Sequence, residues 1–152
     1  MRLSSMADYA VLTMTAAARH CGTGLLAGPD GKKRARVNAA QLAEETGLPA
    51  PTVQKLVSRL SAAGLLKSVR GAGGGLMLAR PAAAITLADI VEAVEGPIAL
   101  TSCVEPGKQD CTLEAACTLK PHWPEVNDVL RGALAGIPLT QLVKTARIGA
   151  AA

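Results

Sequence analysis

NAAQLAEETGLPAPTVQKLVSRLSAAGLLKSVRGAGGGLMLAR, residues 38–80, decides the fold. Asn38 is a strong N-cap residue, and Gln41 stands at the capping-box position three residues on. Leu42 and Ala43 turn one face inward, and Gly47 supplies a C-cap. A second helix follows over 50–63, with Pro51 in its first turn and Gly64 at its end. Val53, Leu56, Val57 and Leu60 form its apolar stripe; Thr52, Gln54, Lys55, Ser58, Arg59 and Ser61 occupy the other face. Two apolar stretches, 65–69 and 76–79, then flank RGAGGG (70–75). Glycines accept positive φ, so this is a hairpin tip.

Two short helices joined by a tight turn and followed by a glycine-tipped hairpin make a winged helix-turn-helix. Its second helix suits the major groove of double-stranded DNA. Gln, Lys and Arg can bond base edges, while Ser and Thr position on phosphate. The candidate DNA-binding residues are Thr52, Gln54, Lys55, Ser58, Arg59, Arg70 and Gly73. RGAGGG is no nucleotide loop: it lacks the Gly-Lys-Ser/Thr ending, and Leu76 stands where a dinucleotide fingerprint needs glycine.

The rest of the chain fits this core. Its 152 residues suffice for one hydrophobic core with a modest appendage. Tyr9 and Trp123 are its aromatic residues, and alanine supplies much of the apolar content. Small side chains favour closely packed helices but bury little area each, so part of the apolar surface is expected to be covered by dimerisation. Residues 1–80 carry 11 Lys and Arg against 4 Asp and Glu; residues 81–152 carry 5 against 8. A basic first half and an acidic second half point to a polyanion met at one end. No signal peptide is read at the start, because Asp8 interrupts the apolar stretch. No run approaches the length of a membrane span. The expected compartment is the cytoplasm.

Before the core motif, Ser5 with Asp8 resembles a capping box, and Met6, Tyr9, Ala10, Met14 and Ala17 recur at helical spacing. Residues 22–36 break the pattern as a loop with Lys32, Lys33, Arg34 and Arg36. Beyond the hairpin, Thr86 and Asp89 form a second capping box, and Leu87, Ile90, Val91 and Val94 face inward as far as Gly96. A last long helix starts near 121–124 and carries Trp123, Val126, Val129, Leu130, Ala133 and Leu134. Gly136 and Pro138 break it, leaving 139–144 for one or two further turns. The fold class is thus mainly α, a winged helix-turn-helix with a long C-terminal dimerisation helix. The expected division is 1–81 for DNA binding and 82–152 for the remainder.

Between these last helices lies CVEPGKQDCTLEAACTLKPHW (103–123). Cys103, Cys111 and Cys117 share one polar stretch, where disulfides are not expected in a reducing compartment. Thiolates suit zinc or iron–sulfur clusters, and the gaps are wider than those of common zinc pairs. His122 and Asp8, the latter supplied across a dimer, are the candidates for a fourth ligand. Cys21, far along the chain, reads as a small buried residue.

These residues together resemble the iron–sulfur-cluster transcription regulators of the Rrf-two type, whose members include IscR, NsrR and RirA. MRLSSMADYAV, LAEETGLP, VQKLVSRL, SVRGAGGGLMLAR, DIVEAVEGP and the three cysteines follow in the family's order. The wing and VQKLV look most similar to regulators of the SUF assembly operon. The resemblance implies a homodimer whose C-terminal helices cross at the interface. It implies a 2Fe–2S or 4Fe–4S cluster held by Cys103, Cys111 and Cys117. It also implies repression of cluster-assembly or iron-homeostasis genes in the bacterial cytoplasm, at the nucleoid. Where some members place a ligand histidine three residues after the last cysteine, this chain has Lys120. Others use an aspartate at the position of Asp8.

Two readings from different classes follow. In one, cluster gain or loss changes the separation of two recognition helices. In the other, a winged-helix adaptor binds protein and its cysteines hold zinc or respond to redox state. An enzyme is not expected, and neither is a small-molecule substrate: His122 has no evident Ser or Asp partner.

Overall fold

A computed structural model of the chain describes residues 2–21, 36–72, 74–108 and 110–148, with side chains placed up to 144. Helix α1 (Ser5–His20) is capped by Ser4, whose extended backbone lets its Oγ accept from the Ala7 amide at 3.2 Å. This corrects the Ser5–Asp8 capping box: Ser5 is already helical. Asp8 remains in the first turn, where a carboxylate complements the helix dipole. Ala7, Ala10, Thr13, Met14, Thr15, Ala16, Ala17 and Ala18 are buried, so what α1 packs with is mostly small side chains and Met14. Those small side chains let α4 (Leu87–Glu95) and α6 (Leu139–Ile148) approach closely.

Helix α2 (Ala39–Thr46) has the expected capping box. Gln41 N–H donates to Asn38 Oδ1 at 2.8 Å, and Asn38 N–H donates to Gln41 Oε1 at 2.9 Å. Gly47 ends it at φ 70, a conformation that disfavours any side chain. Helix α3 (Ala50–Ala62) buries Val53, Leu56 and Leu60 completely. The hairpin pairs β1 (Leu66–Val69) with β2 (Gly75–Leu78) in antiparallel register, Leu66 opposite Leu78 and Val69 opposite Gly75. Val37 adds a short bridge to Leu76, with N···O distances of 3.2 and 2.7 Å. That bridge ties the wing to the entry of α2 and leaves no signature in the sequence.

Helix α4 begins with the expected capping box of Thr86 and Asp89 and ends at Gly96. Three 3₁₀ turns, Ser102–Val104, Glu114–Ala116 and Lys120–His122, follow before α5 (Trp123–Ala135). The stretch at 139–144 is more than a turn or two. It belongs to α6, whose Leu139 and Val143 are buried in the core beside α1. Pro138 pairs with Thr86 across an isolated bridge, which anchors the start of α6 to the start of α4. Ile90, Val91, Val94, Leu139 and Val143 all join the core cluster built by α1, α2, α3 and the hairpin. Among the described residues, no helix is long and apolar enough to cross a membrane.

Candidate nucleic-acid interface and metal centre

The inward stripe of α3 fixes what its other face presents. With Val53, Leu56 and Leu60 in the core, Gln54, Lys55 and Ser58 stand exposed and Thr52 half-exposed. Among the described residues Gln54, Lys55 and Ser58 have no hydrogen-bond partner, so their donors are free for an incoming ligand. Two members of the expected face differ. Arg59 is exposed, yet its Nη1 donates to the backbone oxygen of Val94 at 2.6 Å. Ser61 tucks its hydroxyl away from solvent without a hydrogen-bond partner among the described residues.

The wing tip is set by glycine. Gly71 has φ 100 and accepts from the Gly74 amide at 2.8 Å. A Cβ on Gly74 would lie 2.5 Å from the Val69 carbonyl oxygen, so the tip closes only with glycine there. Arg70 is exposed at the base of this turn, and exposed Lys67 on β1 adds a charge that the sequence reading passed over. Gly73, Lys32, Lys33 and Arg34 lie outside the described residues. Arg80, at the other end of the hairpin, pairs with Asp89 at 3.6 Å.

The cysteine segment leaves α4 through Gly96 and is fastened to α5 by polar contacts. Asn127, buried on α5, donates from Nδ2 to the Ile98 carbonyl at 2.9 Å and accepts the Leu100 amide at 3.0 Å. Glu92 and Arg131 pair through two hydrogen bonds of 2.8 and 2.9 Å, and Glu92 Oε1 also accepts the Ile98 amide at 3.4 Å. The Arg131 guanidinium holds the Glu92 carboxyl below its ordinary value, against an opposing push from burial. Sequence reasoning missed Asn127 and Glu92 as organisers.

Cys103 is half-buried, its sulfur 3.1 Å from Thr101 Oγ1; Cys117 is half-buried and Cys111 exposed. All three are free thiols. Lys120 pairs with Glu114, which holds the ammonium above its ordinary value, with smaller contributions from the sulfurs of Cys103 and Cys117. One cation thus stands within electrostatic reach of two of the thiols. His122 is exposed at the start of α5, and Asp8 is exposed on α1. Among the described residues, no three His, Cys, Asp or Glu side chains stand close enough to share one metal ion. The donor set still fits a thiophilic group, because three accessible thiols on one segment suit a multi-iron cluster, which is broader than a single ion.

Helix α5 leaves apolar surface uncovered: Val126 is 46% and Val129 70% exposed. Leu113 and Leu119, on the cysteine segment, are exposed as well.

A family model described as an iron-dependent transcriptional regulator, Rrf2, matches residues 3–145. The chain belongs to the Rrf2 family. This Rrf2 chain is 32% identical over 148 residues to the HTH-type transcriptional regulator IscR of Photorhabdus laumondii, covering 97% of the chain and 82% of the relative. It is 32% identical over 144 residues to Protein aau3 of Rhizobium meliloti, covering 95% and 86%. The solved structure of T. potens IscR superposes with a TM-score of 0.64 at 29% identity, over 96% of this chain and 88% of that one. CymR, the global cysteine regulator of B. subtilis, superposes with a TM-score of 0.66 at 28% identity, over 95% and 98%. The Rrf2 chain is a transcriptional regulator with a DNA-binding winged helix, and not an enzyme.

Proposed function

We propose that this Rrf2 regulator is a cytoplasmic homodimer, bound at the nucleoid, that represses cluster-assembly (SUF) or iron-homeostasis genes according to whether an iron–sulfur cluster is present. The observation that carries this reading is the placement of three free thiols on one segment fastened to both α4 and α5. Cys103, Cys111 and Cys117 would hold the cluster, of the 2Fe–2S or 4Fe–4S kind, with His122 or Asp8 of the second protomer as fourth ligand. When bound, such a cluster supplies a core sensitive to oxygen, nitric oxide and iron supply.

The chain's own residues do the rest. Residues 1–81 read DNA, with Thr52, Gln54, Lys55 and Ser58 on α3 and Arg70 and Gly73 at the wing. Residues 82–152 hold the cluster and the dimer contact. Val126 and Val129 on α5 offer the apolar surface that a second copy would cover. Two recognition helices must then sit about 34–36 Å apart to enter successive major grooves, so a small rotation at the dimer contact changes affinity.

A second reading, a regulator whose thiols respond to redox state, is favoured by the likeness to CymR, one structure of which is an oxidised form. One comparison tests both readings. A duplex selected from a random pool is titrated with protein loaded anaerobically with iron and sulfide, and with protein stripped by chelator. The cluster reading expects affinities that differ by tens of fold. Equal affinities, with a difference appearing only on thiol oxidation, would favour the second.

A further inference from the structure

Arg59 does not behave as a groove reader waiting for DNA. Its guanidinium reaches back from α3 to the Val94 carbonyl at 2.6 Å. Val94 lies in the last turn of α4, where carbonyls lack partners within the helix and the dipole favours a cation. One of the five N–H donors of its guanidinium is spent on this carbonyl, and the bond fixes where the rest of the group points. Gln54 and Lys55, about one turn earlier on the same helix, carry no such tie among the described residues.

The contact continues toward the cysteines. Helix α4 carries Glu92, whose Oε1 accepts the Ile98 amide at 3.4 Å. Asn127 brackets the same segment from α5, through Ile98 at 2.9 Å and Leu100 at 3.0 Å. The next residue, Thr101, touches Cys103 Sγ at 3.1 Å. Each step between the first cysteine and the recognition helix is a hydrogen bond, a short stretch of backbone or a rigid helix.

We propose that Arg59 is a positioning residue, and that Arg59 and Asn127 are the two ends of a mechanical link by which the state of the cysteine segment sets the seating of α3. The proposal rests on the cluster-responsive reading above. Movement of residues 98–103 bears on Asn127 and Glu92, shifts the C-terminal turn of α4, and moves α3 through the Arg59 bond. Such a link requires that both ends be hydrogen-bonded and that α4 move as one piece.

The test uses the full-length protein as wild type, Arg59→Met, Arg59→Lys and Asn127→Ala. Each is loaded anaerobically with iron and sulfide or stripped by chelator, then titrated by fluorescence anisotropy over a salt series against the pool-selected duplex. The wild type should show a loaded-to-stripped affinity ratio of tens of fold. Arg59→Met and Asn127→Ala should each bring that ratio to within about threefold of one, which is below the usual range of coupling. Arg59→Lys, which keeps a donor for the Val94 carbonyl, should recover most of it. The salt slope of Arg59→Met should match wild type. A slope shallower by about 0.9 per protomer would make Arg59 a phosphate contact and overturn the proposal. Wild-type ratios retained in both Arg59→Met and Asn127→Ala would overturn the link alone. A wild-type ratio of one would overturn the cluster-responsive reading and the link with it.

Discussion

The side-chain oxygen of Asn127 accepts the Leu100 amide at 3.0 Å, which fastens the segment leading to Cys103 onto α5. Its amide group donates to Ile98 at 2.9 Å, so one buried side chain satisfies two backbone groups. Removing it leaves both without a partner in a half-buried place. Asn127→Ala should therefore cost about 2 kcal/mol in urea unfolding. Hydrogen exchange at the Leu100 amide should also rise relative to wild type.

Glu92 and Arg131 make a bidentate pair between α4 and α5. Because the folded carboxyl is held below its unfolded value, its contribution is present above the unfolded value and is lost as pH falls through the folded one. Both groups are partly solvated, so the contribution is modest and screened by salt. Glu92→Gln should lower the urea midpoint at pH 7 by less than Asn127→Ala does. The gap between Glu92→Gln and wild type should close as pH falls below about 4, the ordinary carboxylate range.

Gly74 closes the wing by bonding to Gly71 at 2.8 Å. A methyl group there meets the Val69 oxygen at 2.5 Å, and that oxygen is backbone, which cannot swing aside. Gly74→Ala should cost roughly 1–3 kcal/mol of stability. DNA affinity should fall further than stability does, since the tip itself must open. Thermal melting and anisotropy on one preparation separate the two effects.

Lys55 is exposed on α3 and carries no side-chain tie among the described residues. Lys55→Ala should weaken binding by about 1–3 kcal/mol if it bonds a base, with relaxed selectivity at one position. If it bonds phosphate, binding should weaken alike on all sequences and the salt slope should fall by about 1. A variant that matches wild type on both counts would remove Lys55 from the interface.

The parts of the fold that depend on local rules were legible. Asn38 with Gln41, Thr86 with Asp89, and the glycines at 47, 64, 71, 74 and 75 each dictate a cap or a turn through contacts a few residues apart. The parts that depend on distant partners were not. Arg59 belongs by periodicity to the outward face of α3, and only the approach of α4 reveals where its guanidinium goes. Val37 looks like loop until Leu76 lies beside it. The 139–144 stretch reads as one or two turns because its packing surface is α1, far away in sequence. At the site, the ligand types could be read from the sequence. Their spatial arrangement could not, because 3₁₀ turns and loops between cysteines carry no periodicity.

The central claim is that Cys103, Cys111 and Cys117 together hold iron and sulfide, and it is tested most directly by metal content. Protein purified without oxygen should be coloured and carry iron and acid-labile sulfide in equal amounts. Cys103→Ser, Cys111→Ser and Cys117→Ser should each lose nearly all of both, while Cys21→Ala, a change at a buried residue of the core, should keep them. Colourless wild-type protein without iron or sulfide, or a serine variant at any of the three positions that retains the full complement, would contradict it.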